Sequence, residues 1–273
     1  MITKGKEEYI PYLKNIWKEC FKDSDEYINF FFDNRYSDEN VAVKICDGVP
    51  VAMLFVLPSM VVVKGKYEKY GYVYAVSTLE KYRGKGISTE LMEFIEGNFD
   101  VKGTFLVPAT ESLFKFYGKR GYKDAFSLKE VLFDTFETDI NIKFEYDISP
   151  KEYKELRDNM FFDEGYVSWS EEALKYALNE NKFVGGKNYR VEYNNKVYAV
   201  MGYIEKGRFF AREAVVSDED FYTVLNYIAV KENCNEVYTR IDIKRNIEGN
   251  KIKFGVLNGN DVINDGYFNI ALD

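Results

Sequence analysis

The residues best suited to chemistry form one basic turn, Lys81-Tyr82-Arg83-Gly84-Lys85-Gly86. Glycine lets the backbone approach a ligand closely, and the first N–H groups of a helix have no partners inside that helix. Such amides, together with the helix dipole, favour an anion, and neighbouring cations reinforce the preference. The pattern predicts a site for a diphosphate. A bare Gly-x-Gly is also common in simple tight turns, so a turn without a ligand is the alternative on this pattern alone.

The turn lies between a predicted strand and a predicted helix. Residues 72–78 are rich in β-branched and aromatic side chains, which is typical of a strand. The residues after the turn place apolar side chains at helical spacing, at Ile87, Leu91, Phe94 and Ile95. The turn is neither a P-loop, because Gly-Lys-Ser/Thr is missing, nor a dinucleotide fingerprint, because Thr89 replaces the last glycine.

Two motifs resemble those of the GNAT N-acetyltransferase superfamily. The turn resembles motif A, Gln/Arg-x-x-Gly-x-Gly/Ala, with Lys81 in place of the usual Gln or Arg. Residues 108–122 resemble motif B, a helix that carries Phe-Tyr and closes on a glycine followed by an aromatic residue. The resemblance implies an α+β (α/β) GNAT fold, with a mixed central sheet flanked by helices, and acetyl-CoA (coenzyme A) as cofactor.

The resemblance also implies which residues bind acetyl-CoA. In the family, the strand before the loop bulges and its backbone holds the acetyl and pantetheine groups, which here assigns Val76, Ser77 and Thr78. The next strand, here 104–107, splays away and leaves a gap for the pantetheine arm. The diphosphate contacts fall to the loop residues Arg83, Gly84, Lys85, Gly86, Ile87 and Ser88.

Two residues of motif B have implied roles near the thioester. Tyr117 aligns with the family's general acid. A phenol of pKa about 10 can protonate a leaving sulfur. The alternative is a core aromatic residue beside Phe114 and Phe116. Ser112 begins the same helix and is predicted to contact the cofactor.

The general base is left unassigned. Relatives often carry a Glu on the central strand, whereas this chain has Tyr70 or Tyr72 there, with Glu68 just before it and Glu111 near motif B. One tandem-domain family within the superfamily places its terminal carboxylate in the active site, which corresponds to Asp273 in this chain. A chain of water molecules would serve equally well.

Composition excludes several classes of function. A net charge of −8 argues against a nucleic-acid partner and mildly favours a cationic one. The chain has no histidine, which excludes His-based triads and His metal sites. Three scattered cysteines fit neither a disulfide framework nor a zinc site, so no metal is expected. Without a signal peptide or an apolar run of about 18 residues, we expect a cytoplasmic protein with no membrane partner.

The N-terminal region predicts two helices, over residues 6–21 and 25–32. In a GNAT fold these would flank the acceptor site, where Glu26, Asp33 and Glu39 could meet an amine. The alternative for these carboxylates is ordinary exposed helix charge. Strands are predicted over 41–45, 51–57, 60–69 and 128–136, with turns at Asp47-Gly48 and Tyr70-Gly71.

The second half repeats an order of helices, hairpin, strand, helix and strand. At the equivalent turn it carries Ser217-Asp218-Glu219-Asp220. These carboxylates suit a helix cap, but they would repel a diphosphate, by a few kcal/mol for a pair at ~4 Å. We therefore predict a catalytic GNAT domain over 1–138 and a degenerate GNAT-like domain over 139–273. This tandem arrangement is similar to the enhanced intracellular survival family.

The function implied is an acyl-CoA-dependent N-acyltransferase. It would move an acetyl group from acetyl-CoA to a primary amine of a cationic acceptor, such as a polyamine, an aminoglycoside-like compound or a peptide. Attack would be direct, because no activated Cys or Ser is evident. The alternative is a non-catalytic acyl-CoA-binding sensor or interaction module. The acyl chain length and assembly into a homo-oligomer are left open.

Overall fold

The computed structural model describes residues 1–270, so Asp273 lies outside the described residues. These residues form two compact units. The first comprises Met1–Met60, Glu68–Lys123 and Val256–Asp261, and the second comprises Val61–Tyr67, Asp124–Gly255 and the residues from 262 to 270. The predicted domains 1–138 and 139–273 stay a prediction.

The first part of the chain contains both helices and strands. In chain order the elements are β1 (Ile2–Lys4), α1 (Ile10–Phe21), α2 (Asp25–Asn34), β2 (Val41–Cys46), β3 (Val49–Val63), β4 (Lys66–Thr78), α3 (Ile87–Ile95), β5 (Gly103–Leu106) and α4 (Glu111–Gly118). A short 3-10 turn, Glu80–Tyr82, connects β4 to the loop before α3.

The sheet of the first unit has the strand order β1-β2-β3-β4-β5. Neighbouring strands β1, β2 and β3 are antiparallel, whereas β4 and β5 are parallel. Leu54 packs with residues of α3 and α4, while its neighbour Phe55 packs with Trp17 of α1. Because alternate residues of a strand face opposite sides, α1 and α2 cover one face and α3 and α4 the other.

The predicted turn at Tyr70-Gly71 is wrong, because β4 runs through both residues. The chain turns instead at Lys64 and Gly65, whose φ angles are 51° and 72°. Gly71 has a packing role: a Cβ on it would lie 2.4 Å from Cγ1 of Val56. A glycine inside a strand pattern can mark such a close approach as well as a turn.

The remaining part of the chain supplies the second unit. Its elements are β6 (Lys123–Asp134), β7 (Lys143–Glu145), α5 (Pro150–Phe161), β8 (Val167–Ser168), α6 (Glu171–Phe183), β9 (Lys187–Tyr193), β10 (Lys196–Glu205), β11 (Arg208–Val215), α7 (Phe221–Lys231), β12 (Glu236–Asp242) and β13 (Asn250–Gly259). The final residues of β13, from Val256 onward, belong to the first unit, in which they pair with β5.

The strands of the second unit follow the order β6-β12-β11-β10-β9-β7 and include parallel and antiparallel pairs. Strands β11 and β12 are parallel, and the other pairs along this order are antiparallel. Two helices, an antiparallel group, a helix and a parallel strand therefore follow one another in both units. The predicted fold class, with mixed sheets flanked by helices, is confirmed. Within residues 1–270, no helix has both the length and the apolar character needed to cross a membrane.

Candidate functional site

The last part of β4 contains one residue with an unusual backbone conformation. Ala75 has φ 49° inside the strand, a left-handed conformation that is uncommon for a residue other than glycine. The parallel register with β5 joins Gly71 to Thr104 and Tyr72 to Phe105. Within the described residues this register goes no further, so the last part of β4 runs on beyond its pairing with β5. A left-handed residue inside a strand is typical of a β-bulge, at which a strand bends locally.

Two glycines set the path of the loop that follows. Gly84 has φ 74° and Gly86 has φ 80°, and Gly86 is the N-cap of α3. A left-handed backbone is accessible to glycine without steric cost. A Cβ on either residue would meet no protein atom within 4 Å, so both glycines border open space. The space above the loop is therefore available to a ligand.

The loop carries a row of unpaired backbone donors. The N–H groups of Thr89 and Glu90 donate to the carbonyl oxygen of Gly86, at 2.9 and 3.1 Å. The N–H groups of residues 84 to 88 have no hydrogen-bond acceptor within residues 1–270. Successive free amides at a helix start form a site that favours an anion.

A pocket of about 330 Å³ lies against this loop. Six of the predicted cofactor residues line it: Thr78, Arg83, Gly84, Gly86, Ile87 and Ser88. Tyr82, Phe116 and Arg120 complete the lining. The predicted residues Val76, Ser77, Lys85, Ser112 and Tyr117 do not line it.

Residues 1–125 match the profile of the acetyltransferase (GNAT) domain family. This part of the chain is a GNAT domain. Similar folds occur in a GCN5-related N-acetyltransferase from Anabaena variabilis (TM-score 0.76, 19% identity, 94% of this chain and 72% of that one). Eis1 from Mycobacterium abscessus is also similar (TM-score 0.71, 12% identity, 94% of this chain and 73% of that one). At these identities the likeness concerns the fold. No curated protein sequence matches the chain significantly.

The cationic side chains of the GNAT loop are held by local contacts. Arg83 Nε donates to the carbonyl oxygen of Thr78 at 2.9 Å, and Arg83 Nη2 lies 3.6 Å from Sγ of Cys20. Lys85 Nζ lies 5.3 Å from the centre of the Tyr82 ring, a cation–π contact. Arg83 therefore braces the end of β4, and Lys85 stays at the exposed edge of the loop.

The hydroxyls of Ser77 and Ser112 lie in different surroundings. Ser77 is buried, and its Oγ has no hydrogen-bond partner among the described residues. A buried hydroxyl without a partner is unfavourable, so a polar group of a ligand would stabilise it. Ser112 is exposed, and its Oγ lies 2.9 Å from Oγ1 of Thr110, the N-cap of α4. Val76 is partly buried and packs against the apolar core.

Tyr117 lies in the apolar core of the GNAT domain between two aromatic rings. Its side chain packs against Phe116 at 5.1 Å and Tyr122 at 5.6 Å between ring centres. Burial raises the pKa of Tyr117 to about 12, so the phenol is protonated at neutral pH. Within residues 1–270 its hydroxyl makes no hydrogen bond. Both the predicted role as an acid and the core-aromatic alternative fit this environment.

The candidates for a base are engaged away from the loop. Tyr70 donates its hydroxyl hydrogen bond to Asp261 at 2.8 Å, and burial raises the pKa of Tyr70 above its usual range. Glu68 pairs with Lys102 at 3.3 Å. Since a strand rises about 3.3 Å per residue, Tyr70 lies roughly 25 Å along β4 from Thr78.

The other candidates for base and acceptor contacts do not converge on the loop pocket either. Tyr72 stacks on Phe105 at 5.4 Å, and Glu111 is exposed in the first turn of α4. Glu39 forms an ion pair with Lys4. Glu26 and Asp33 are exposed on α2, about two helical turns apart.

Arg120 is a residue that the sequence reasoning missed. It follows α4 and contributes to the lining of the loop pocket. Its Nε and Nη2 atoms donate to Oγ1 of Thr89 at 3.0 and 2.6 Å, and Nη1 donates to the carbonyl oxygen of Phe116 at 2.8 Å. The guanidinium also lies 3.5 Å from the centre of the Phe116 ring. The sequence signal was the Lys-Arg pair inside motif B.

The equivalent turn of the second unit is occupied by its own side chains. Asp218 accepts hydrogen bonds from Nε of Arg245 at 2.6 Å and from the N–H of Asn246 at 2.8 Å. Asp220 is the N-cap of α7, but its side chain makes no capping hydrogen bond, so the expectation of a carboxylate cap is wrong. Asp220 instead accepts from the hydroxyl of Tyr198. The Asp220 side chain is therefore buried in the second unit and does not cap α7.

Proposed function

We propose that this protein is an N-acetyltransferase that transfers an acetyl group from acetyl-CoA to a primary amine. The observation that carries the proposal is the row of free N–H groups from residue 84 to 88, since four of these five residues line a pocket of about 330 Å³. A diphosphate offers the acceptor oxygens and the negative charge that this row favours.

The residues of the loop fit acetyl-CoA in shape and in polarity. Gly84 and Gly86 leave open the space that side chains would otherwise fill. The buried Oγ of Ser77 is a hydroxyl that a polar group of the carrier would satisfy. When bound, the carrier supplies an acetyl group activated as a thioester. The chain supplies binding and orientation.

Tyr117 is proposed as the proton donor. Because burial raises the pKa of Tyr117 to about 12, Oη holds its proton at neutral pH and is available to a leaving sulfur. No base is assigned, and a chain of water molecules could carry the amine proton to solvent. The acceptor is proposed to be cationic because the net charge of the chain is −8. Assembly into a homo-oligomer and a cytoplasmic location stay predictions.

A second candidate function is a non-catalytic acyl-CoA sensor. The position of Tyr117 favours it, since this side chain is 7% exposed and does not line the loop pocket. A protein that only binds the carrier would need the loop but not the phenol.

The test combines calorimetric titration of acetyl-CoA with a thiol-release assay across a polyamine, an aminoglycoside and a lysine-containing peptide. For Tyr117→Phe we expect unchanged acetyl-CoA affinity and about 10²- to 10⁴-fold lower turnover, the usual range for a lost acid catalyst. The control is Tyr122→Phe, which removes a phenol that is hydrogen-bonded to Thr104 at 2.6 Å in the same core. Its turnover should change only a few-fold.

Three results would contradict the proposal. Thiol release from Tyr117→Phe at the unmodified rate would remove Tyr117 as the acid. Tight binding without release for any amine would favour the sensor. Failure to bind acetyl-CoA would exclude both functions.

A further inference from the structure

Arg120 has hydrogen-bonding capacity that the protein itself does not use. An arginine side chain carries five N–H donors in a planar fork. Thr89 Oγ1 accepts from Nε and Nη2, and the carbonyl oxygen of Phe116 accepts from Nη1. One N–H on each of Nη1 and Nη2 is left for another acceptor. Two donors on adjacent nitrogens match the bidentate geometry that phosphate accepts.

The charge of Arg120 is also uncompensated. Within residues 1–270, no carboxylate oxygen lies within 4.0 Å of its guanidinium. Its contacts are a hydroxyl, a carbonyl and the face of an aromatic ring. These contacts hold the side chain in place without neutralising it, so a cation is presented in a fixed position.

Arg120 stands where two cavities meet. It lines the loop pocket and also a larger cavity of about 530 Å³, whose walls include Thr89, Met92 and Tyr122. The free amides of residues 84 to 88 already provide donors for a diphosphate in the loop pocket. A cation at the border therefore fits a second anionic group of the same carrier, close to the diphosphate.

We propose that Arg120 binds the 3′-phosphate of coenzyme A and so makes this protein select CoA over 3′-dephospho-CoA. The inference rests on the proposed function, because it assumes that the diphosphate lies on the loop amides. The 3′-phosphate is joined to the diphosphate through one ribose, so the two anions fall on neighbouring donors. The lone hydroxyl of the dephospho form would leave the guanidinium without an anionic partner.

The experiment measures dissociation constants of CoA and 3′-dephospho-CoA by calorimetry for the unmodified chain, Arg120→Gln and Lys119→Gln. The unmodified chain should bind CoA at least about tenfold more tightly, since a charge-assisted bidentate contact is among the strong hydrogen bonds. Arg120→Gln should lose this preference and keep its affinity for 3′-dephospho-CoA within a few-fold. Lys119→Gln should keep the preference, because Lys119 lines only the larger cavity.

Thermal unfolding shows whether Arg120→Gln folds as the unmodified chain does. If it does not, a second variant tests the inference. Thr89→Val removes the hydroxyl that positions the guanidinium and should reduce the preference for CoA while leaving the arginine in place. The inference is overturned if the unmodified chain binds both carriers equally. It is also overturned if Arg120→Gln weakens both carriers by the same factor, which would assign Arg120 to the diphosphate. If the unmodified chain binds neither carrier, the proposed function itself fails, and this inference fails with it.

Discussion

After β4 the chain turns through Gly84 and Gly86 and leaves free amides at the start of α3. After β11 the chain turns through Asp218 and Asp220, and both carboxylates are bound by side chains of their own unit. The two turns follow equivalent strands in the same element order. The proposed binding of an anionic carrier therefore depends on a few residues at the turn rather than on the frame of strand, turn and helix.

The strands beside the two turns differ as well. The register between β4 and β5 comprises two residue pairs, whereas that between β11 and β12 comprises four. Beyond that register, Nδ2 of Asn269 donates to the carbonyl oxygens of Arg212 and Arg240, at 2.8 and 2.9 Å. A side chain of the second unit thus bridges the two strands at the position that corresponds to the predicted pantetheine gap of the first unit.

The faces covered by the first helix pair of each unit also contrast. In the first unit Trp17 packs on Phe31 at 4.6 Å and on Tyr74 at 5.7 Å. In the second unit Nε of Arg157 pairs with Glu213 at 2.7 Å, and both side chains are fully buried. An apolar contact in one unit is matched by an ion pair in the other, and the ion pair carries a desolvation cost that its hydrogen bonds must offset.

The largest expected effect comes from breaking this ion pair. Glu213→Gln removes the charge without changing the shape and leaves Arg157 buried without a counter-ion. We expect the free energy of unfolding to fall by about 3–5 kcal/mol, the usual loss when one partner of a buried pair is removed. Urea unfolding monitored by circular dichroism measures it.

The matched control is the double variant Arg157→Met with Glu213→Gln, which removes both charges and keeps an amide oxygen that can accept from the phenol of Tyr153 or Tyr267. It should recover part of the stability that Glu213→Gln alone loses. A loss below about 1 kcal/mol for Glu213→Gln would show that the pair behaves as an exposed one. The difference between the two helix-covered faces would then have no measurable effect on the free energy of unfolding.

The sequence predicted much of this contrast, because its signals are local. The alternation of strand and helix around the basic turn and the acidic composition of the second turn are each confined to a few neighbouring residues. Contacts between residues far apart in the chain could not be predicted from the sequence. Asn269 bridges strands that end far earlier in the chain, and β13 supplies residues to the first unit. Nothing near either segment in sequence indicates its partner.

Residues with two plausible roles were also beyond local reasoning. Gly71 has the sequence context of a turn, but it serves a close approach to Val56. Arg120 has the context of a surface cation, and only the position of Thr89 and Phe116 aims it at the loop pocket. Tyr117 was placed correctly on a helix, but its burial depends on the packing of Tyr122 against it.

The comparison of the two turns can be tested by giving the first one a carboxylate. Gly86→Asp places a negative charge at the N-cap of α3, facing the pocket where the diphosphate is proposed to lie. Like charges at ~4 Å repel by about 4 kcal/mol at the dielectric of a protein surface, so acetyl-CoA affinity should fall at least about 100-fold. Calorimetric titration measures the loss.

The control for this variant is Gly48→Asp. Gly48 has φ 78° and, like Gly86, borders open space, so the backbone strain of the substitution is matched. Gly48 lies in the hairpin between β2 and β3, and its variant should bind acetyl-CoA as the unmodified chain does. Equal affinities for the two variants would mean that the loop does not bind the diphosphate and that the contrast of the two turns is unrelated to ligand binding.

The smallest expected effect concerns the phenols of the two units. Tyr153 and Tyr267 of the second unit donate to Glu213, each at 2.9 Å, whereas the Tyr117 hydroxyl makes no hydrogen bond within the described residues. Burial, and for the second unit also the charge of Glu213, raises the pKa of Tyr153 and Tyr267 well above the usual range. Burial alone accounts for the rise at Tyr117, to about 12.

The pH dependence of unfolding separates Tyr117 from these other tyrosines. Between pH about 10 and 12 the unfolded chain releases the Tyr117 proton while the folded chain keeps it, so the stability due to burial is complete below pH 10 and declines as pH rises toward 12. The stability of the unmodified chain relative to Tyr117→Phe should therefore fall by about 1.4 kcal/mol between pH 8 and pH 11. Tyr153 and Tyr267 are present in both the unmodified chain and Tyr117→Phe, so their contributions cancel in the difference between the two stabilities. Phe114→Leu, which removes no ionisable group from α4, should show no such change. A difference that stays constant with pH would mean that the Tyr117 phenol is solvated, and hence accessible from the pocket without any rearrangement of α4.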